Sequence, residues 1–202
     1  MKVLAIETSS SHASVAVALG NDIIAERRFQ APRGRGAEVF SILEEMRPLW
    51  QGIDRMAIGL GPGSYNGLRV ACAIAGSFQL ALGIEIITVP SPCLLDSVEK
   101  NYFAAGDARG GRTWLAEIKN HQLQGEICLL TKEEWTSHLG QKYSQLTLRV
   151  GPVPGAESLP QASPLASVLA RLAPSLVPAD PTEIEPLYLK PPHITTPRAS
   201  RP

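Results

Sequence analysis

The chain has 202 residues, 44% of them hydrophobic, and its 19 basic side chains balance 19 acidic ones. This composition excludes a wholly disordered chain, and a net charge of zero gives no overall field that would attract nucleic acid. The three cysteines, Cys72, Cys93 and Cys128, form no Cys-x-x-Cys pair, which argues against a zinc knuckle or a disulfide framework. Reduced thiols, the lack of a signal-peptide pattern and an uncharged run of only residues 70–84 predict a cytoplasmic protein without a membrane span.

The first elements follow a pattern of three strands and a helix. Residues 3–6, 13–19 and 23–29 are predicted strands, and Gly20-Asn21-Asp22 is the hairpin turn between the last two. Residues 37–47 carry apolar side chains at helical spacing. We expect Pro48 to end or kink this helix, because its ring clashes with the carbonyl four residues earlier.

A strand at residues 56–60 then leads into a glycine-rich turn, and a nearly uncharged helix continues to Gly83. No lysine follows the glycines, so the turn is not a P-loop, and the third glycine of a dinucleotide-binding fingerprint is missing. Ser64 lacks the flanking glycines of a nucleophile elbow. Glycines in such a turn indicate close approach of a ligand or of another backbone segment. A tight turn before a buried helix is the simpler alternative.

The rest of the chain continues the alternation of strands and helices, which predicts a mixed α/β sheet. Thr131 and Glu134 have the spacing of a helix capping box. The predicted strands are residues 85–89, 103–107, 113–119, 123–130 and 146–150, and the predicted helices start at residues 90, 131 and 165. Residues 151–164 are predicted to be a loop, and the proline-rich C-terminal end is predicted to be extended.

Small residues recur every four positions in the helix after the glycine turn. One row contains Ala73 and Ser77, and another contains Cys72, Gly76 and Leu80. A single sheet covers only one side of a helix, so we predict that this helix and the one at residues 37–47 pack against a helix pair from another protomer. The alternative is that the helices cover each other within the monomer.

Four segments resemble one protein family. The run Gly61-Pro62-Gly63-Ser64-Tyr65-Asn66-Gly67-Leu68-Arg69 resembles the Gly-Pro-Gly-Ser-Phe-Thr-Gly-Leu/Val-Arg signature of the TsaB (YeaZ) family. These are bacterial proteins needed to make threonylcarbamoyladenosine in tRNA. The other three matching segments, in the same order as in the family, are Leu4-Ala5-Ile6-Glu7-Thr8-Ser9, Asp107-Ala108-Arg109 and Pro186-Leu187-Tyr188-Leu189-Lys190.

The resemblance implies a duplicated actin-like, ribonuclease H-like α/β fold with a mixed sheet, flanking helices and a reduced second half. The two subdomains would be residues 1–101 and 102–202. The implied role is a non-catalytic scaffold without cofactor or metal. It would bind and activate TsaD, which transfers threonylcarbamoyl to the adenosine beside the anticodon. A TsaE-like ATPase would complete the complex, and tRNA would meet this chain only indirectly.

In the family, the same two helices serve self-association and TsaD binding. We therefore expect the partner interface to contain residues from both of them, namely Phe40, Leu43, Met46, Arg47, Arg69, Cys72, Ala73, Gly76, Ser77 and Leu80. The family motif places a turn before the second helix, with Gly61, Pro62, Gly63, Ser64 and Gly67. The chain departs from the family pattern at Tyr65, at Asn66 and in the segment Arg35-Gly36-Ala37-Glu38, which leaves the detailed interface contacts open.

Catalytic actin-like proteins bind nucleotide phosphates at the turn after the first strand, where an acidic residue helps to hold magnesium. Glu7 and Thr8 occupy that turn here, and Asp107 and Arg109 begin the corresponding segment of the second half. These four residues are weak candidates for a nucleotide site, and hydrogen-bonded turns are the alternative for both segments. The alternative functions are therefore a small ATPase or kinase, a protease acting on its partner, and a purely structural homodimer.

Overall fold

The structure, a computed structural model, describes residues 1–30, 37–97, 99–140 and 146–189. The predictions that concern Arg35, Gly36 and Lys190 lie outside these residues. The first sheet has the strand order β3-β2-β1-β4-β5, in which β1, β2 and β3 are antiparallel and β1, β4 and β5 are parallel. Its strands are β1 (Lys2–Glu7), β2 (His12–Leu19), β3 (Asp22–Gln30), β4 (Arg55–Gly59) and β5 (Glu85–Val89).

The second sheet repeats this topology strand for strand. Its order is β8-β7-β6-β9-β10, again with three antiparallel strands followed by two parallel ones. Its strands are β6 (Asn101–Asp107), β7 (Thr113–Lys119), β8 (Gln122–Leu130), β9 (Thr147–Val150) and β10 (Gln161–Ala162). The repeat confirms the duplicated actin-like fold. The reduction of the second half lies in its parallel strands, since β10 has only two residues.

The helices agree with the sequence in part. They are α1 (Ala37–Glu45), α2 (Arg47–Trp50), α3 (Tyr65–Leu82), α4 (Lys132–Leu139) and α5 (Ala166–Leu172). The helix predicted over residues 37–47 stops at Glu45, and Pro48 lies in the first turn of α2, where a missing N–H costs nothing. Thr131 and Glu134 form the predicted capping box at the start of α4. In the described part of the chain, no helix is both long and apolar enough to cross a membrane.

Two predictions are wrong, one between the halves and one within the second half. The helix expected from Pro90 towards Lys100 is only a 3-10 turn, Ser91–Leu94. Its continuation is prevented because the Leu94 carbonyl accepts a hydrogen bond from Leu165 N–H at 3.0 Å, while Leu95 bridges to Pro164. In the second half, β10 pairs with β9 inside the segment predicted to be a loop.

The inner strands of the first sheet, β1, β2 and β4, are buried on both faces. On one face, Leu4 and Ile6 of β1 pack in a cluster with residues of α1 and α3. On the opposite face, Val3 and Ala5 belong to a cluster that contains α5 and residues of the second sheet. A third cluster, around Trp135, joins α4 to the outer face of the second sheet. α1 and α3 thus lie on the outer face of the first sheet, away from the second half.

Helix α5 is held at both ends by side chains of the first sheet. It has no side-chain cap of its own, and its first N–H groups donate to Ser14 Oγ (2.9 Å) and to a carboxylate oxygen of Glu26 (3.3 Å). Beyond its other end, Arg55 Nη1 donates to the carbonyls of Ala173, Pro174 and Leu176 at 3.1–3.3 Å. Arg55 Nε also pairs with a carboxylate oxygen of Glu85 at 2.7 Å.

From this point the C-terminal segment runs along the edge of the first sheet. Ala179 N–H donates to the Ile86 carbonyl of β5, and Leu187 N–H donates to the Leu60 carbonyl, both at 2.8 Å. The segment therefore covers part of an edge strand that would otherwise expose unpaired backbone groups. It ends beside the start of α3, where Tyr188 meets Tyr65.

We predict that Arg55→Met lowers the free energy of unfolding by about 1.5–3 kcal/mol, the usual contribution of hydrogen bonds to a charged group. Glu85→Gln, the matched control, removes only the ion pair and leaves the three carbonyl bonds of Arg55. Because the Glu85 side chain is 54% exposed, this change should cost less than about 1 kcal/mol. Urea unfolding of both variants measures the difference. Equal costs would mean that the carbonyl bonds do not hold the end of α5.

Candidate functional site

The family motif turn packs directly on the turn that follows β1. Ser64 N–H donates to the Ser9 carbonyl at 2.6 Å, and Thr8 Oγ1 donates to the Gly67 carbonyl at 2.8 Å. Ser64 is also the N-cap of α3, because its hydroxyl accepts a hydrogen bond from Gly67 N–H at 3.3 Å. The turn between residues 61 and 67 thereby fixes where α3 begins.

The glycines of this turn allow two backbone segments to touch. A Cβ on Gly63 would overlap the carbonyl oxygen of Ser9, and one on Gly67 would overlap that of Thr8. At Gly59, at the end of β4, a Cβ would overlap the carboxylate of Glu7. Of the two partners that the sequence left open, a ligand or a backbone segment, the structure places backbone against Gly63 and Gly67.

Glu7 is fully buried and links three segments. Its Oε1 accepts a hydrogen bond from Ser9 N–H at 2.6 Å, and its Oε2 accepts one from the Ser91 hydroxyl at 2.8 Å. The Ser91 hydroxyl in turn accepts one from Gly61 N–H at 2.9 Å, and Ser91 N–H donates to the Gly61 carbonyl. Burial raises the pKa of Glu7, and the bonds from Ser9 and Ser91 oppose that rise. Both carboxyl oxygens are therefore engaged within the fold.

The second weak candidate segment is a hairpin connection between β6 and β7. Asp107 Oδ1 accepts a hydrogen bond from Arg109 N–H at 2.7 Å, and Arg109 has φ of 58°. Gly110 and Gly111 continue the left-handed conformation, with φ of 62° and 72°. Among the residues that the structure describes, no three His, Cys, Asp or Glu side chains form a metal-binding group.

The residues predicted for the partner interface divide into an inner and an outer set. Leu43 and Met46 point into the core, where they are 6% and 1% exposed. Cys72 and Gly76 are partly buried, and burial together with Glu185 raises the pKa of the Cys72 thiol. The outer set is exposed and consists of Phe40, Arg47, Arg69, Ala73, Ser77 and Leu80.

Arg69 forms a cluster with two tyrosines at the N-terminal end of α3. Arg69 Nη1 donates to the Tyr65 hydroxyl at 3.0 Å, and the guanidinium carbon lies 5.3 Å from the centre of the Tyr65 ring. The ring of Tyr188 lies 5.3 Å from that of Tyr65 at an interplanar angle of 30°. Sequence analysis placed Arg69 in the predicted interface, but it named the two tyrosines only as members of the family motifs. The i, i+4 spacing of Tyr65 and Arg69 was the available signal, and nothing local indicated Tyr188.

Comparison with known proteins agrees with the resemblance to the TsaB (YeaZ) family. A family model described as TsaD, tRNA N6-adenosine threonylcarbamoyltransferase, matches residues 37–95. The tRNA threonylcarbamoyladenosine biosynthesis protein TsaB of Escherichia coli K12 is 30% identical over 135 residues, which are 60% of this chain and 57% of that protein. The protein of the same name from Bacillus subtilis is 29% identical over 135 residues, 61% of this chain and 58% of that protein. The chain thus matches less than two thirds of the length of either relative.

Solved structures support the fold. YeaZ from Pseudomonas aeruginosa has a TM-score of 0.71 at 22% identity, covering 93% of this chain and 99% of that one. A second structure, described as an uncharacterized protein with similarity to peptidase YEAZ from the same organism, has a TM-score of 0.71 at 18% identity. It covers 94% of this chain and 99% of that one. The curated relatives support the resemblance drawn from the sequence motifs, and the two structures support the fold.

The role of the motif glycines predicts opposite effects of one substitution at two positions of α3. Gly67→Ala should destabilise the chain by about 1–3 kcal/mol, because the new methyl group meets the rigid Thr8 carbonyl. Gly76→Ala, the matched control, points into open space and should stabilise the helix by about 0.5–1 kcal/mol. Urea unfolding of the isolated chain measures both. Stabilisation of the Gly67 variant would show that the two turns do not pack as described.

The raised pKa of Glu7 predicts a pH dependence of stability with the sign opposite to that of a salt-bridged carboxylate. A carboxyl group whose pKa is raised in the folded state contributes its full stability at pH values below its ordinary pKa of 4.5. This contribution is lost as the pH rises through the folded-state pKa. Relative to Glu7→Gln, which stays neutral, the unchanged chain should therefore lose stability above pH 4.5, by at most about 1.4 kcal/mol per pH unit. Urea unfolding of both proteins between pH 4.5 and 8 tests this. A difference that grows with pH in favour of the unchanged chain would contradict it.

Proposed function

Because the chain carries the motifs of the TsaB (YeaZ) family and is similar to two TsaB proteins over 135 residues, we propose that it acts in the synthesis of threonylcarbamoyladenosine in tRNA. Its role is that of a non-catalytic subunit, which binds a TsaD-like threonylcarbamoyltransferase and activates it. The observation that carries this proposal is the exposed, almost uncharged outer face of α3. Apolar patches of this kind on a folded chain mark protein interaction sites.

The outer face of α3 suits close helix packing. The 18-residue helix contains one charged residue, Arg69, and its Leu80 is 90% exposed. Ala73 and Ser77 lie one turn apart and are small, so another helix can approach closely. The Ser77 hydroxyl already donates to the Ala73 carbonyl at 2.8 Å, and covering this face would leave that hydroxyl satisfied.

The choice of partner is supported by the extent of the family match. The TsaD model matches residues 37–95, the segment that runs from α1 through α3 and β5. A TsaD-like chain with a similar segment carries a comparable helix pair, and two such pairs can pack as a four-helix interface. A homodimer through the same helices is the competing use of this surface.

The buried position of Glu7 supports a positioning role rather than a catalytic one. Its carboxyl oxygens hold the start of α3 through Ser9 and Ser91, and the Asp107 carboxylate closes a hairpin turn. In this proposal the chain works in the cytoplasm without a cofactor. A TsaE-like ATPase completes the complex, and tRNA is handled by the complex as a whole.

The decisive experiment combines binding and activity. The chain is co-purified with the TsaD-like protein of the same organism, and threonylcarbamoylation of tRNA is measured with and without the chain, in the presence of the other components. We expect a stable complex, and activity only when both proteins are present. The absence of a complex, or ATP turnover by this chain alone, would overturn the proposal.

The interface itself predicts that Ala73→Trp and Ser77→Trp abolish binding of the TsaD-like protein, because a bulky side chain prevents close approach of the helices. Ser137→Trp is the matched control, since Ser137 is also exposed and lies on α4, at the outer face of the second sheet. Size-exclusion chromatography with light scattering measures complex formation, and an unfolding curve of each variant establishes that it is folded. Unchanged complex mass for both α3 variants would refute the interface.

A further inference from the structure

We propose that the C-terminal residues 184–189 are a third part of the partner surface, beside α1 and α3. In this arrangement Tyr65 and Tyr188 hold the Arg69 guanidinium for a carboxylate of the bound TsaD-like chain. The inference rests on the proposed function. It extends that function to a segment more than 100 residues beyond the end of α3, and it names the chemical group that Arg69 contacts.

The backbone of this segment is fixed to the first sheet and α3. Leu187 N–H donates to the Leu60 carbonyl at 2.8 Å, at the point where β4 leads into the family motif turn. Ile184 packs against the cluster under α1 and α3. Upstream, Ala179 is bonded to Ile86 of β5. Hydrogen bonds and packing of residues 179–187 therefore fix the position of Tyr188, although this residue is 44% exposed.

Tyr65 orients Arg69, and Tyr188 packs against Tyr65. The guanidinium donates to the Tyr65 hydroxyl and lies beside the ring of the same tyrosine, whose other neighbour is Tyr188. Tyr65 is 42% exposed, so the cluster stands at the surface. Arg69, Ala73 and Ser77 are successive i, i+4 neighbours, which places the guanidinium at one end of the face proposed to bind the partner.

The charge of Arg69 indicates the kind of group that it contacts in the complex. Within the described residues, no carboxylate lies at ion-pair distance from Arg69, and Tyr65 takes one of its five N–H donors. A guanidinium covered by an apolar interface without a partner is strongly unfavourable. The bound chain must therefore supply acceptors, and a carboxylate matches the planar fork in two parallel hydrogen bonds.

A phosphate of tRNA is the other anion that a guanidinium binds well, but the surroundings disfavour it. Phosphate-binding surfaces combine several cations, whereas α3 has one charged residue and the chain has no net charge. The neighbouring positions on the same face are Ala73, Ser77 and Leu80, which suit a protein helix. A carboxylate from a protein partner is therefore the assignment that the surface favours.

The test measures the dissociation constant of the complex with the TsaD-like protein by isothermal titration calorimetry, at low and high salt. Arg69→Glu should weaken binding at least about tenfold at low salt, with a smaller effect at high salt. Arg171→Glu is the charge-matched control on another exposed helical arginine and should leave binding unchanged. Tyr188→Ala should weaken binding about three- to tenfold. Tyr188→Phe, which keeps the ring, should bind as tightly as the unchanged chain. Unfolding curves establish that each variant is folded.

The outcomes separate this inference from the proposed function. If the unchanged chain does not bind the TsaD-like protein, the proposed function fails. If it binds, but Arg69→Glu and Tyr188→Ala bind equally well, the function stands and this inference is overturned. Loss of tRNA binding by Arg69→Glu, with unchanged affinity for the TsaD-like protein, would also overturn it and assign Arg69 to nucleic acid.

Discussion

The contact between the turn at residues 7–9 and the turn at residues 61–67 is the constraint on which the outer surface of this protein depends. Glu7 joins the end of β1 to Ser91, and Ser91 in turn holds Gly61. A buried carboxyl group is costly unless its oxygens are bonded, so the three segments must keep their relative positions. α3 starts from this junction, and the direction of its outward face follows from the hydrogen bonds of a fully buried residue.

The same junction explains a pattern that sequence analysis could interpret in two ways. Glycine at a strand-to-helix turn removes the Cβ, and this serves equally to admit a phosphate or another stretch of backbone. Here the carbonyls of Thr8 and Ser9 occupy the space beside Gly67 and Gly63. The sequence alone cannot distinguish these uses, because the segment that fills the space lies more than fifty residues away.

What could be predicted from the sequence was set by local chemistry. Alternating apolar residues located the strands, and Thr131 with Glu134 located the start of α4, because a capping box involves only four consecutive positions. The helix expected after Pro90 failed because Leu94 bonds to Leu165, a partner far along the chain. Helical spacing grouped Arg69 with Ala73 and Ser77, but it could not show that Leu43 and Met46 face the core. The contact of Tyr188 with Tyr65 spans 123 positions and has no local signal.

The path of the chain after α5 gives this surface its rigidity. Although α5 lies late in the sequence, Ser14 and Glu26 bind its first N–H groups and Arg55 binds the carbonyls beyond its end. The segment that follows is bonded to β5 and to Leu60 before it reaches α3. A surface held in one conformation before binding loses little conformational entropy when a partner docks. In the proposed role, in which the chain positions another protein, such preorganisation increases the affinity for the partner and requires no catalytic group from this chain.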